Sequence, residues 1–425
     1  MRIPTRPAAT TAVAAVLAAG LAACGTSTPV AGRPDAPALQ PMVTSAALMA
    51  HGTGNPFVDA RTAAAHMPMS AEVLAGGIAK AAGIKGQVDS KAADLRSGLT
   101  YLFTDHVYIT GIAVATAYKF GATSPAFTSA KGAVLANAQE IEDAVTKIVG
   151  ADQGKVFKEA FDSHIGDFVD YAVAAKTHDA KGQAKAVAAL KGYATAVGEY
   201  FNKVTGGVLS AKAIEQDTLT HILTTKAAVD DLAAGKDSAF ADLKKAADHM
   251  SMSAQVIAAG VAKATKMPGN PDDAASGLRA DLTRMLVDHV YLAGVAVFTA
   301  YSAPGGLTGK AFKASAAALD ANSVELSKAV ESVAGKQNAD TFLVSWRSHI
   351  GDFVDYAKGD ATNDNNLKNK ALAALDGYRT VSGEFFSKIT KGALPADAVA
   401  TDLTGHIETL AGAIDSLKAA LVTSH

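Results

Sequence analysis

The sequence predicts an all-α protein built as two tandem homologous up-and-down bundles of about six helices each. Three observations lead there: a long internal duplication, apolar residues recurring at helical spacing between glycine breakers, and the absence of the β-branched alternation that marks strands. Alanine and glycine are abundant and aromatics scarce, with Trp346 the one tryptophan. That composition suits closely approaching helices.

The duplication is close to literal in places. Ser163 to Ala172 reads SHIGDFVDYA, and Ser348 to Ala357 repeats all ten residues. His66-Met67-Pro68-Met69-Ser70-Ala71 returns as His249-Met250-Ser251-Met252-Ser253-Ala254. Asp105-His106-Val107-Tyr108 returns as Asp288-His289-Val290-Tyr291, Asn137 and Glu140 as Asn322 and Glu325, and His221 as His406. Gly198-Glu199-Tyr200-Phe201 matches Gly383-Glu384-Phe385-Phe386. The shift is 183 residues up to His106 and His289 but 185 from His164 and His349 onward. The two added residues fall where both copies hold Gly and Pro, between Tyr118 and Phe127 in copy one, which marks a loop.

The chain divides accordingly. Residues 1–23 read as an export signal: Arg2 and Arg6 give a positive start, and Ala12 to Ala19 is small or apolar but too short to remain as a span. The segment ends Leu21-Ala22-Ala23-Cys24-Gly25, and Cys24 is the one cysteine of the chain. A lone thiol in an oxidising compartment is a liability that acylation removes. Residues 24–57, rich in Pro, Gly, Ser, Thr and Ala, read as a flexible tether. Copy one then covers 58–235 and copy two 236–425, each a normal domain size. No later segment reads as long and apolar enough to be transmembrane. Without Arg2 and Arg6, 37 basic residues face 41 acidic ones and no basic patch stands out, so nucleic acid is not an expected partner.

In copy one the helices fall near 58–83, 91–120, 127–149, 153–175, 182–205 and 209–234. Gly121, Gly150 and Gly206-Gly207 stand at their ends, where C-terminal caps belong. Short connections give a bundle. The first helix, carrying the His-Met pair, and the last either complete that bundle or bridge the two copies. A weaker pattern puts His followed by Val or Ile at the centre of three helices (His106, His164, His221), which hints at an ancestral hairpin used several times.

Histidines supply the chemistry. His106 has Leu99, Leu102, Phe103, Ile109 and Ala113 along its face, His164 lies between Phe161 and Phe168, and His349 between Trp346 and Phe353. An imidazole in an apolar face needs a partner, since an unsatisfied buried polar group costs about 1–3 kcal/mol. The candidates are Glu140, Asn137, Asp167 and Glu199. Depth along the helices puts His106, Glu140, His164 and Glu199 in a similar layer. Asp167 is three residues from His164 on one helix. The expected metal ligands are therefore His106, Glu140, His164, Asp167 and Glu199, and in copy two His289, Glu325, His349, Asp352 and Glu384. Imidazole with carboxylate suits Fe, Mn, Zn or Cu(II). A second possible site combines His66, Met67 and His221 with His249, Met250 and His406, imidazole and thioether suiting Cu(I), although Met at helical spacing is more often core filler. His51 and His425 read as solvated. Gly166 and Gly351, inside helices beside the histidines, suggest either close helix approach or room for a ligand. The bland alternative is a set of buried His–carboxylate hydrogen bonds that hold an Ala-rich bundle in register.

Several strings carry a resemblance. The ending Leu21-Ala22-Ala23-Cys24-Gly25 resembles the lipobox of bacterial lipoproteins, which implies diacylglycerol on Cys24, palmitate-type anchoring to the cell membrane and an extracytoplasmic location. Leu292-Ala293 after His289-Val290, then Asn322, Trp346, His349-Ile350 and Phe353-Val354-Asp355-Tyr356, with a His-Met pair, resembles a group of exported Gram-positive proteins without an assigned activity. Some of that group carry a copper amine oxidase-like label, a chemistry that an all-helical chain does not suit. In architecture and ligand type the bundles are similar to ferritin-like and hemerythrin-like proteins, but their motifs are missing: the order here is His164-x-x-Asp167, and neither His-x-x-x-Glu nor His-x-x-x-His appears at that layer. That likeness implies sensing, storage or scavenging of a metal, or an oxidase or peroxidase. No nucleophile elbow, phosphate loop or His-Glu-x-x-His is present, so no catalytic residue is assigned.

Overall fold

The computed structural model describes residues 52–421. The lipidation expectation for Cys24, most of the tether, His51 and His425 lie outside them. Among the described residues the chain is all α. Copy one forms α1 (Pro56–Ala82), α2 (Lys91–Phe120), α3 (Pro125–Val149), α4 (Ala151–Lys176), α5 (Ala180–Val204) and α6 (Ala211–Ala233). Copy two forms α7 (Ala239–Thr265), α8 (Ala274–Ser302), α9 (Lys310–Ala334), α10 (Lys336–Thr362), α11 (Asn365–Ile389) and α12 (Ala396–Leu421). The inserted residues of copy two make a single 3₁₀ turn, Gly306–Thr308, in the α8–α9 loop, where the change of shift predicts a loop.

Local chemistry sets the helix ends. Asn55 caps α1, its side chain accepting from the Phe57 and Val58 amides, with Pro56 at the first helical position. Gly83 closes α1 in the left-handed conformation that glycine adopts without a Cβ penalty. Ser90, Ser124, Asp179, Ser210 and Asp273 cap later helices in the same way as Asn55.

The His-Met helices exchange places. α1, from copy one, packs on α8 and α12 of copy two, whereas α7, from copy two, packs on α2 and α6 of copy one. Of the two expectations for these helices, bridging is the one observed. Each bundle therefore has five helices of one copy and the His-Met helix of the other, and α2 lies against α8 between them.

Paired contacts follow a pseudo-twofold relation. Ala92 donates its amide to the Pro268 carbonyl, and its counterpart Ala275 donates to the Lys85 carbonyl. Arg96 reaches the Pro271 carbonyl at 2.7 Å, and Arg279 reaches the Val88 carbonyl at 2.7 Å. His66 Nε2 sits 2.9 Å from the Asp402 carbonyl, and His249 Nε2 sits 3.0 Å from the Asp217 carbonyl. These six contacts pin the exchanged helices and their connections to the opposite copy.

One expectation is corrected. By length and composition α8 is apolar enough to cross a membrane. Its apolarity has another cause: 72% of that stretch is buried inside the protein, where α8 packs against α1, α2, α9 and α12.

Candidate metal centre

Three histidines converge in each bundle. α2 brings His106, α4 brings His164 and α6 brings His221; in copy two α8, α10 and α12 bring His289, His349 and His406. In each trio one ring nitrogen per residue lies within 4.8 Å of the other two. His106 and His164 approach through their Nε2 atoms at 3.3 Å, and His289 and His349 do the same at 3.3 Å. All six are buried.

At the start of the helices that carry His221 and His406, Gly198 of α5 and Gly383 of α11 let the next helix come close: a Cβ on either would collide with the Ala211 or Ala396 carbonyl. Aromatic rings then wall the imidazoles. Tyr193 stacks on His164 with centroids 4.3 Å apart and planes 9° apart, and Tyr378 stacks on His349 at 4.5 Å. Phe161 and Trp346 pack on His106 and His289, and Phe168 and Phe353 turn their edges to His221 and His406.

Burial decides the charge state. Desolvation pushes His106 and His406 down to about 4 and His349 down to about 3, and it holds His164, His221 and His289 well below the ordinary imidazole value. Neighbouring imidazoles add to the depression of His164 and His289. All six are neutral near pH 7, the form that ligates metal.

The tautomer of His164 follows from what its far nitrogen faces. His164 Nδ1 meets the Phe161 carbonyl, an acceptor, so Nδ1 carries the proton and Nε2 is bare. The Asn137 amide nitrogen is committed to the Leu102 carbonyl at 3.0 Å and to Asp105 at 2.8 Å, which fixes its oxygen toward donors. His106 Nδ1 and Asn137 Oδ1 are both buried without a hydrogen-bond partner. The lone pair of His164 Nε2 faces His106 Nε2 at 3.3 Å in a buried place, where either a proton on His106 Nε2 or a cation shared by the two nitrogens satisfies it. Nitrogens each about 2.0–2.1 Å from a tetrahedral metal stand roughly 3.3 Å apart, the spacing observed. Three imidazoles would leave a fourth position open.

The expected carboxylates are not in this group. Glu140 is exposed and pairs with Arg61 at 2.8 Å. Asp167 and Asp352 are partly exposed, and Glu199 and Glu384 are exposed. Glu325 belongs to another cluster, with Asp248 and Asp288, which Lys244 and Arg284 neutralise. The reason is geometric: helical periodicity puts Glu140 and Glu199 on the outward side of α3 and α5, and three residues from His164 is far enough round α4 to bring Asp167 to the boundary. Gly166 and Gly351 are exposed and face open space, so neither explanation offered for them holds.

The second possible site is also redrawn. His221 and His406 complete the main trios. His66 and His249 hold backbone carbonyls of the opposite copy, with Asp402 Oδ1 3.2 Å from His66. Met67 is core filler at 3% exposure and Met250 is partly buried against the core. Sequence reasoning missed the roles of His221, His406, Tyr193 and Tyr378. The duplication was the signal available for all four: each recurs at a shift of 185.

Comparison with protein-family models, with curated proteins and with solved structures gives no match. The geometry carries the functional reading.

Proposed function

We propose that this protein binds one transition-metal ion in each bundle, through His106, His164 and His221 in one and His289, His349 and His406 in the other. The observation that carries the reading is the convergence of three buried, neutral imidazoles in each bundle, two of them with Nε2 atoms 3.3 Å apart, repeated in both copies. The donor set is all imidazole and all neutral, and it points to zinc or copper more than to manganese, which favours carboxylate oxygens. Among the described residues no carboxylate joins either trio, which departs from the donor set of ferritin-like di-iron oxidases. Two enclosed ions per chain make a poor store, and capture or sensing fits better. With the lipobox-like Cys24, the proposed setting is the outer face of a membrane, with a lipid anchor.

The test is metal content by mass spectrometry on untagged protein, wild type against the His164→Ala/His349→Ala double variant. About two equivalents of one metal in the wild type, lost in a folded variant, supports the reading. A wild type that neither carries metal nor takes up zinc or copper on titration overturns it and leaves the trios as structural hydrogen-bonding groups.

A further inference from the structure

The two trios differ in what stands beside them. In copy two an apolar cavity of about 70 Å³ adjoins the site, with His289, His406 and Trp346 in its wall. Leu286, Ser382 and Met67 also line it, the last contributed by the exchanged helix α1. A cavity needs only about 10–15 Å³ to admit a water, but a wall this apolar offers water few partners. At roughly half the volume of an engineered apolar cavity that takes benzene, the space suits a small neutral molecule.

Copy one changes this wall. At the corresponding places it has Phe103 for Leu286 and Val197 for Ser382, both larger, and Phe161 for Trp346. The tryptophan brings a second observation: its indole N–H is buried and has no acceptor. Phe161 has no such group to satisfy. A buried donor without a partner costs about 1–3 kcal/mol unless something accepts from it.

We infer that the copy-two bundle binds a small neutral ligand, apolar over most of its surface and carrying one hydrogen-bond acceptor for Trp346, beside His289 and His406. This does not depend on the metal reading, and the test is run on metal-free protein so that either can fail alone.

The probe is tetrahydrofuran, with cyclopentane as its acceptor-free isostere. Trp346 is the one tryptophan, so its emission reports on this cavity alone. Tetrahydrofuran is expected to give a saturable red shift as the indole N–H gains an acceptor, whereas cyclopentane binds without that shift. Leu286→Phe, which installs the copy-one residue, should weaken binding by about ten-fold or more through overfilling. Ser382→Val provides the same test if the first variant folds poorly. No saturable change in the wild type, or equal binding by both filled variants, overturns the inference. An equal red shift with cyclopentane overturns the acceptor assignment.

Discussion

Tyr108 and Tyr291 stack across the contact between α2 and α8, with ring centroids 5.1 Å apart and planes 11° apart. Each hydroxyl donates to a buried aspartate of the opposite copy: Tyr108 to Asp288 at 3.0 Å, and Tyr291 to Asp105. Those aspartates immediately precede His106 and His289, so the interface between the copies and the two histidine trios share one turn of helix.

Removing the Tyr108 hydroxyl should therefore be felt. Burial first, then Asp248, pushes Asp288 up to about 7, and the Tyr108 hydroxyl is one of the donors that compensate it. Tyr108→Phe keeps the ring stack and should destabilise by about 1–3 kcal/mol. Urea denaturation measures this; an unchanged midpoint would mean that the hydroxyl is not satisfying a buried acceptor.

The exchange of α1 and α7 predicts how the chain behaves when cut. A protease site placed at Gly235 to Ser238, between α6 and α7, separates copy one from copy two in sequence. The pieces should stay together on size exclusion without denaturant, because each bundle contains a helix of the other. Their separation into two folded monomers would contradict the crossed arrangement.

Protonation should act in two directions. For the buried trios the folded pKa lies below the ordinary value of about 6.5, so the unfolded state binds more protons. Their contribution to stability is full above about 6.5 and is lost as pH falls toward the folded values, about 4 for His106 and His406 and about 3 for His349. Each group changes stability by ~1.4 kcal/mol per pH unit across its window. His66 has the opposite sign: its hydrogen bond to Asp402 raises its pKa, so its contribution is present below about 6.5 and is lost as pH rises through the raised value. Imidazole NMR signals of metal-free protein check both statements. The six buried rings should not titrate between about pH 8 and 5, and His66 should titrate above its ordinary value. A buried ring titrating near the ordinary value would contradict its placement.

Carboxylate and His-Met variants separate this account from the one that sequence suggests. Glu140→Gln, Glu199→Gln and His66→Ala should each leave the metal stoichiometry unchanged, because none of these side chains joins a trio. Loss of one equivalent from any of them, measured by zinc titration of the folded variant, would restore that residue as a ligand.

Much of the architecture was legible because it rests on local signals. The glycine breakers and apolar period gave the helices, and the change of shift from 183 to 185 located the one loop that differs. His106 and His164 stood out because each interrupts an apolar face, and the structure brings them together. His221 was harder to place, since Asp217, Thr218, Thr224 and Thr225 surround it on α6 and give it the look of a boundary residue. The carboxylates misled for the converse reason: Glu140 has alanines at helical spacing, and alanine marks a close helix approach as readily as an inward face. The exchange of α1 and α7 leaves no trace in either copy's pattern, because a helix with an apolar stripe docks equally well on its own copy or on the homologous one.

The most direct measurement is an anomalous-scattering map of crystals grown with zinc or copper, collected at the absorption edge of the metal. The account predicts two peaks per chain, one within about 2.0–2.1 Å of Nε2 of both His106 and His164 and one placed alike between His289 and His349. Peaks confined to the Asp248, Asp288 and Glu325 cluster, or no peak within reach of either trio, would contradict it.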